Sequence, residues 1–169
     1  HVYVENPMCL TKAEAQSIRR SLSAHPHLQL SSNLVLRTCP LFSRVRAAVQ
    51  AQEMGALYHL DADYLWGRKE KLTSGWRAAA DDYSIIHGAA VHMVDLVLWI
   101  TGLAPVSVRA LGSRIAVADS PQRHNDFAVM LLSFANQMTA KIAAHGGCIH
   151  PHFHTLKVFG TQASLLHEP

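Results

Sequence analysis

The sequence predicts an α+β fold, in which a strand–helix–strand unit precedes a mostly antiparallel sheet with a helix or two packed on one face. Three observations carry this. The first stretch, to about residue 37, reads strand, capped helix, strand, the grammar of a parallel layer. Tyr58, Leu60, Ala62, Tyr64 and Trp66 alternate with His59, Asp61 and Asp63, the period of two that marks a half-buried strand. After Pro105 the pattern is of strands only.

Each element has a local cause. Val2-Tyr3-Val4 is a short strand ending at Glu5-Asn6-Pro7. Thr11 with Glu14 three residues on is a capping box that starts a helix, with Ala15, Ile18 and Leu22 as its apolar stripe and His25-Pro26 as its end. Leu28 to Arg37 reads as a second strand around a buried run Leu34-Val35-Leu36. Pro40 suits the first turn of a helix with Leu41, Val45, Ala48 and Val49 on one face and Gly55 as its cap. Gly67 to Ser74 reads as a polar loop, and Trp76-Arg77 leads through Asp81-Asp82 into a central helix, His87 to Trp99, stopped by Thr101-Gly102 and Pro105. Then come a strand from Val106 to Ala110 continuing to Ile115, a loop from Ala116 to His124, and a hairpin of Phe127–Phe134 and Met138–Ala144 around Ala135-Asn136. Phe153 to Phe159 is a further strand, and Gly160-Thr161 turns into Ser164 to His167.

The chain has 169 residues and a net charge of +3, with one short basic cluster at Arg68-Lys69-Glu70-Lys71 that a glutamate interrupts. A nucleic-acid-binding protein needs a denser basic face, so no nucleic acid is expected as a partner. No apolar run reaches the ~18 residues that span a bilayer, so no membrane is expected either. Cys9, Cys39 and Cys148 are odd in number and form no CxxC pair, which reads as reduced thiols in a cytoplasmic protein. Both ends run directly out of strand-like segments, as expected of a fragment of a longer protein.

The central helix is almost wholly apolar but carries His92 and Asp95 on neighbouring positions of one face, with Gly88 one turn before. Two readings stand: hydrogen-bonded core groups, or a functional edge on a buried helix. Trp76-Arg77 also has two: a guanidinium clamp for a substrate anion, or an arginine stacked on its neighbour. His150, His152 and His154 alternate as zinc ligands on a strand would, but Pro151 spoils the strand and no acidic ligand adjoins, so no metal is expected. Asp61 and Asp63 read as a solvated strand face rather than as a carboxylate pair. Neither GxGxxG nor GxxxxGK[ST] occurs.

Taken in order, His1 to Pro7, the capped helix, the strand ending in Arg37 and Pro40, the Gly55-terminated helix, Trp76-Arg77, and Gly88-x-x-x-His92-x-x-Asp95 resemble the Gfo/Idh/MocA family of NAD(P)-dependent oxidoreductases. Phe134 and Val158-Phe159-Gly160-Thr161 resemble that family's C-terminal sheet. The resemblance implies that residues 1–38 are the remnant of a dinucleotide-binding Rossmann domain, and that residues 39–169 are most of a substrate and dimerisation domain with a large open sheet. It implies NAD or NADP as cofactor in the full-length protein, with the main binding loop absent here. The family's Glu-Lys-Pro motif falls on Glu5, Asn6 and Pro7, which places these at the cofactor, and Asn6, Trp76, Arg77 and Asp95 at the substrate.

His92 is then the general base that takes a hydroxyl proton as hydride leaves a sugar-like or polyol substrate; an unperturbed imidazole, near pKa 6.5, suits this. His87, about 140° round a regular helix, is not expected to help. Two departures bear on activity. Asn6 replaces the lysine and cannot relay a proton, and Gly88 stands where many members carry an aspartate. The alternative is therefore a catalytically decayed member acting as a ligand-binding or dimerisation module. If the sheet face away from the helices is apolar, a homodimer or higher homo-oligomer through it is expected.

Overall fold

The computed structural model describes every residue except Gln122, which falls within the loop expected over residues 116–124 and lies outside the described residues. Strands β1 (Val2–Val4) and β2 (Leu30–Ser32) pair in parallel, Val2 opposite Leu30, across helix α1 (Lys12–Ala24). The capping box forms: Thr11 Oγ1 accepts the Glu14 amide at 3.2 Å, and Glu14 Oε2 accepts the Thr11 amide at 3.1 Å. Ala15, Ile18 and Leu22 are half-buried, and no residue of α1 is fully buried.

The second strand is shorter than the sequence suggested. Beyond Ser32 no strand of β1 remains to pair with, so the backbone bonds locally instead and Val35–Thr38 forms a 3₁₀ turn. Of the run Leu34-Val35-Leu36, only Leu36 is buried. Helix α2 (Pro40–Gln50) opens on its proline as expected, but Phe42 and Val45 are its buried residues. Its end lies at Ala51 and Gln52 (φ 59°), not at Gly55, which serves the following turn with φ +68°.

Strands β3 (Leu57–Leu65), β4 (Pro105–Ser113), β5 (Phe127–Phe134), β6 (Thr139–His145), β7 (Phe153–Gly160) and β8 (Ser164–His167) form one sheet in the order β4-β5-β6-β3-β7-β8. Pairing is antiparallel except between β3 and β6, where Ala62 lies opposite Ile142. The period of two in β3 holds: Leu60, Ala62 and Tyr64 are buried on the helix side, while Tyr58 is exposed at the strand's start. The other face is less solvated than the sequence suggested. Lys141 lies 2.6 Å from Asp61 and 2.7 Å from Asp63, and all three side chains are half-buried.

The expected polar loop contains two short helices, α3 (Glu70–Thr73) and α4 (Gly75–Ala79). One apolar residue causes the first: Leu72 is fully buried against Gly146 and Ile85. The central helix begins with a π turn, Ile86–Ala90, and becomes regular as α5 (Val91–Thr101). Met93, Leu96, Val97 and Ile100 of α5 are core residues. Gly102 (φ +68°) closes it as predicted, its amide donating to Leu98 at 2.8 Å. Among the described residues no helix is long and apolar enough to cross a membrane, and the three cysteines are free.

Candidate functional site

Four rings meet where β3 ends, β7 begins and α5 starts. Antiparallel pairing sets Tyr64 opposite His154, with ring centroids 4.2 Å apart. The Tyr64 ring also lies 5.1 Å from His152 and 5.9 Å from His92, and its hydroxyl shares a 2.7 Å hydrogen bond with His152 Nε2. Tyr64 is buried, His92 and His154 half-buried and His152 exposed, so the cluster runs from interior to surface. His92 Nδ1 is buried without a hydrogen-bond partner.

Burial lowers the His92 pKa, against the pull of the Asp95 and Glu5 carboxylates, so the ring is neutral at neutral pH. Burial and then the positive neighbours lower His154 further, to about 4. His152 moves the same way, through burial and then Arg68. Burial also raises the Tyr64 phenol.

Glu5, Asn6 and Pro7 follow β1, with a cis peptide before Pro7. Asn33 donates to both Glu5 carboxylate oxygens at 2.9 Å. The Asn6 amide is used twice, donating to the Asn33 carbonyl and accepting from Ser32 Oγ at 2.7 Å. Asp95 takes a two-pronged contact from Arg37, 2.8 Å from Nε and 2.5 Å from the second nitrogen. Between these groups lies a cavity of about 450 Å³, lined by Asn6, Cys9, His87, Val94, Asp95 and Leu98 among others. His87 thus faces this cavity, and its Nδ1 accepts the Ser84 amide at 3.3 Å; the imidazole of His92 turns towards Tyr64 instead.

Trp76 and Arg77 do not line that cavity, but Trp76 lines an adjoining one with Pro7, Met8 and Cys9. The Arg77 guanidinium lies 4.5 Å over the Trp76 ring, and its Nε donates to Tyr83 Oη at 3.1 Å. Tyr83 is fully buried and packs on Gly88, where any Cβ would collide with its hydroxyl. The place of the family's aspartate is therefore filled by a phenol. Among the described residues no three His, Cys, Asp or Glu side chains are grouped to hold a metal; His150 bonds the Pro151 carbonyl instead.

The sequence singled out His92, Asp95, Asn6 and Glu5, and the structure brings these to one region. It missed Tyr64 as the hub of the ring cluster and gave Arg37, Arg68 and Tyr83 no role in the site. The His152-x-His154 spacing was the one available signal for the cluster.

The profile of the GFO/IDH/MocA C-terminal domain matches residues 42–166. The chain belongs to the Gfo/Idh/MocA family. A UDP-N-acetylglucosamine 3-dehydrogenase of Acidithiobacillus ferrooxidans is 28% identical over 144 residues, which cover 85% of this chain and 40% of that protein. The fold is that of a myo-inositol 2-dehydrogenase of Lactobacillus plantarum (TM-score 0.86, 22% identity, 99% of this chain, 50% of that one). It is also that of a scyllo-inositol dehydrogenase of Lactobacillus casei solved with NAD(H) and scyllo-inositol (TM-score 0.81, 16% identity, 99% and 50%). The chain thus spans half or less of the length of these relatives. Its relatives in this oxidoreductase family act on sugars and polyols.

For the NAD(H) that the Lactobacillus casei enzyme binds, the described residues show no diphosphate cradle. Glu5 and Asn6 close the parallel layer beside the His92 region. The N-terminus of α1, the helix of that layer, is closed by Thr11 and Glu14 and offers no cradle for a diphosphate.

Proposed function

We propose that this chain is the substrate-side part of an NAD(P)-dependent dehydrogenase that oxidises a hydroxyl of a sugar or cyclic polyol. In this reading residues 1–38 end the dinucleotide-binding domain and residues 39–169 form the substrate domain. The observation that carries it is the His92 imidazole, neutral by burial, partly open, and with Nδ1 unpartnered. A neutral imidazole beside a carbinol is a competent general base.

In the reaction the carbinol carbon loses a hydride and its oxygen loses a proton, giving a ketone. The nicotinamide, when bound, accepts the hydride. His92 takes the proton and passes it to solvent. Asp95 and Glu5 stabilise the imidazolium so formed, as their pull on the ring already indicates. Asn6 helps set the position of the substrate from the end of β1. Arg37 holds Asp95 in place.

The second reading, a member without turnover, is favoured by one observation: the Asn6 amide is committed to Ser32 and Asn33, and no lysine stands there. The test is an assay of NAD(P) reduction by the protein carrying its dinucleotide-binding part, over a panel of sugars and cyclic polyols. Turnover that falls at least a hundredfold in His92→Gln supports the dehydrogenase. No turnover in the wild type, with a large gain in Asn6→Lys, supports the decayed site.

We also propose a homodimer, or a higher homo-oligomer, through the sheet face opposite the helices, where Leu111, Leu131 and Leu166 are exposed on β4, β5 and β8. A monomer by light scattering at high concentration would contradict it.

A further inference from the structure

Oxidation at His92 leaves a proton on a half-buried ring, and a line of groups leads from that ring to the surface. His92 packs edge-on against Tyr64, with ring centroids 5.9 Å apart. Tyr64 is 6% exposed, and its hydroxyl shares a 2.7 Å hydrogen bond with His152 Nε2. His152 is exposed. The line thus runs from a half-buried imidazole, through a buried phenol, to an imidazole in contact with solvent. Gly67 (φ +58°) permits the last link. A Cβ there would collide with the His150 carbonyl and come within 3.2 Å of the His152 backbone nitrogen, so glycine lets the loop before β7 close onto the end of β3.

The chemistry of these groups suits a relay. Burial raises the Tyr64 phenol, which keeps it un-ionised. A hydroxyl still passes a proton by accepting one at oxygen and donating its own. Burial and then Arg68 lower the His152 pKa, so an imidazolium formed there gives its proton to solvent at neutral pH. The His154 ring lies 4.2 Å from Tyr64 and 4.7 Å from His152, and at about 4 its pKa keeps it neutral. It packs against the phenol without adding a charge beside the line.

We propose that Tyr64 and His152 form the exit route for the substrate proton. His92 passes the proton through one bridging water to Tyr64 Oη, the hydroxyl hydrogen of Tyr64 moves to His152 Nε2, and the imidazolium so formed loses a proton to solvent. Neither residue touches the reacting carbon, so both are relay groups rather than a second base. The inference rests on the reading of His92 as the base.

The test is kcat for oxidation by the protein with its dinucleotide-binding part, in dilute buffer and with added imidazole. His152→Ala should lower kcat about tenfold or more in dilute buffer at unchanged KM, and imidazole, replacing the lost ring at the surface, should restore it. Tyr64→Phe keeps the ring but cuts the route further in, so it should lose the rate and resist rescue. His150→Ala, exposed in the same loop, should behave as the wild type. Nitrogen NMR of residues 1–169 should show His152 Nε2 without a hydrogen, as the acceptor of the Tyr64 hydroxyl; the opposite tautomer would overturn the proposal. So would a His152→Ala protein that keeps the wild-type kcat in dilute buffer, or a loss that imidazole does not restore, and either would leave His92 standing as the base. No turnover by the wild type, or a rate unaffected by His92→Gln, would sink base and relay together.

Discussion

Residues 1–38 and 39–169 are held together by different forces. In the first part only Leu36 is buried, and the structure depends on polar links: Asn33 to Glu5, Asn6 to Ser32, the capping box of α1, and Arg37 to Asp95. The second part contains the rest of the core, built from both sides of a sheet–helix contact through Leu60, Ile142, Leu156, Met93 and Leu96. Burial is worth roughly 25 cal/mol per Å², and a net hydrogen bond about 1 kcal/mol. The first part should therefore open well before the second. The candidate site lies on the seam, with Glu5 and Asn6 on the weak side and His92 on the strong one. In the proposed reading, a base on the rigid part and a positioning group on the yielding part would let the substrate side adjust without moving the imidazole.

The sharpest way to break this contrast is in the core. Ile142→Ala or Leu60→Ala should cost about 3 kcal/mol in urea unfolding, whereas Ile18→Ala on α1 should cost under about 1 kcal/mol. Similar costs at both places would refute the division. Acid should act on the strong part next. His154 titrates near 4 in the folded chain and near the ordinary 6.5 when unfolded. Between those values the unfolded chain binds more protons, so stability falls as pH drops through that window, by on the order of 3 kcal/mol. His87, His92, His145 and His152, all lowered by burial, act in the same direction. His154→Gln should flatten the profile; an unchanged slope would mean that this ring is not the sensor.

Overpacking comes third. Gly88→Ala drives a methyl into the buried Tyr83 hydroxyl and should cost about 2 kcal/mol, and Tyr83→Phe in the same chain should recover part of it. The smallest effect is the most local. Arg37→Ala frees Asp95 from its two-pronged contact and should cost about 1 kcal/mol. It should speed amide exchange at Val2 and Leu30 while leaving β5 and β6 protected. Uniform loss of protection would show that the two parts unfold as one.

Much of the fold was readable in the sequence because its causes are local. Thr11 and Glu14 start α1, alternation defines β3, Gly102 ends α5, and the hairpin around Asn136 lies where turn residues separate two apolar runs. The misreadings arose where distant contacts decide. Leu72 looked like part of a charged loop until Gly146 and Ile85 covered it. The Leu34–Leu36 run looked like a strand but had no partner past Ser32. For the site, His92, Asp95 and Asn6 stood out as polar groups in apolar or motif-like settings. Arg37 lies 58 residues from the carboxylate it holds, and Tyr64 lies 88 from the imidazole it bonds, so no local pattern could report either.

The central claim is that His92 accepts the substrate proton. The pH dependence of kcat/KM for oxidation, measured on the protein with its dinucleotide-binding part, tests it most directly. Because burial lowers the His92 pKa, the break in the wild-type profile should lie below the ordinary 6.5 of a free imidazole, with the rate falling as pH drops through it, and His92→Gln should lose both the rate and the break. A His92→Gln enzyme that keeps the wild-type rate and the same break would contradict the account.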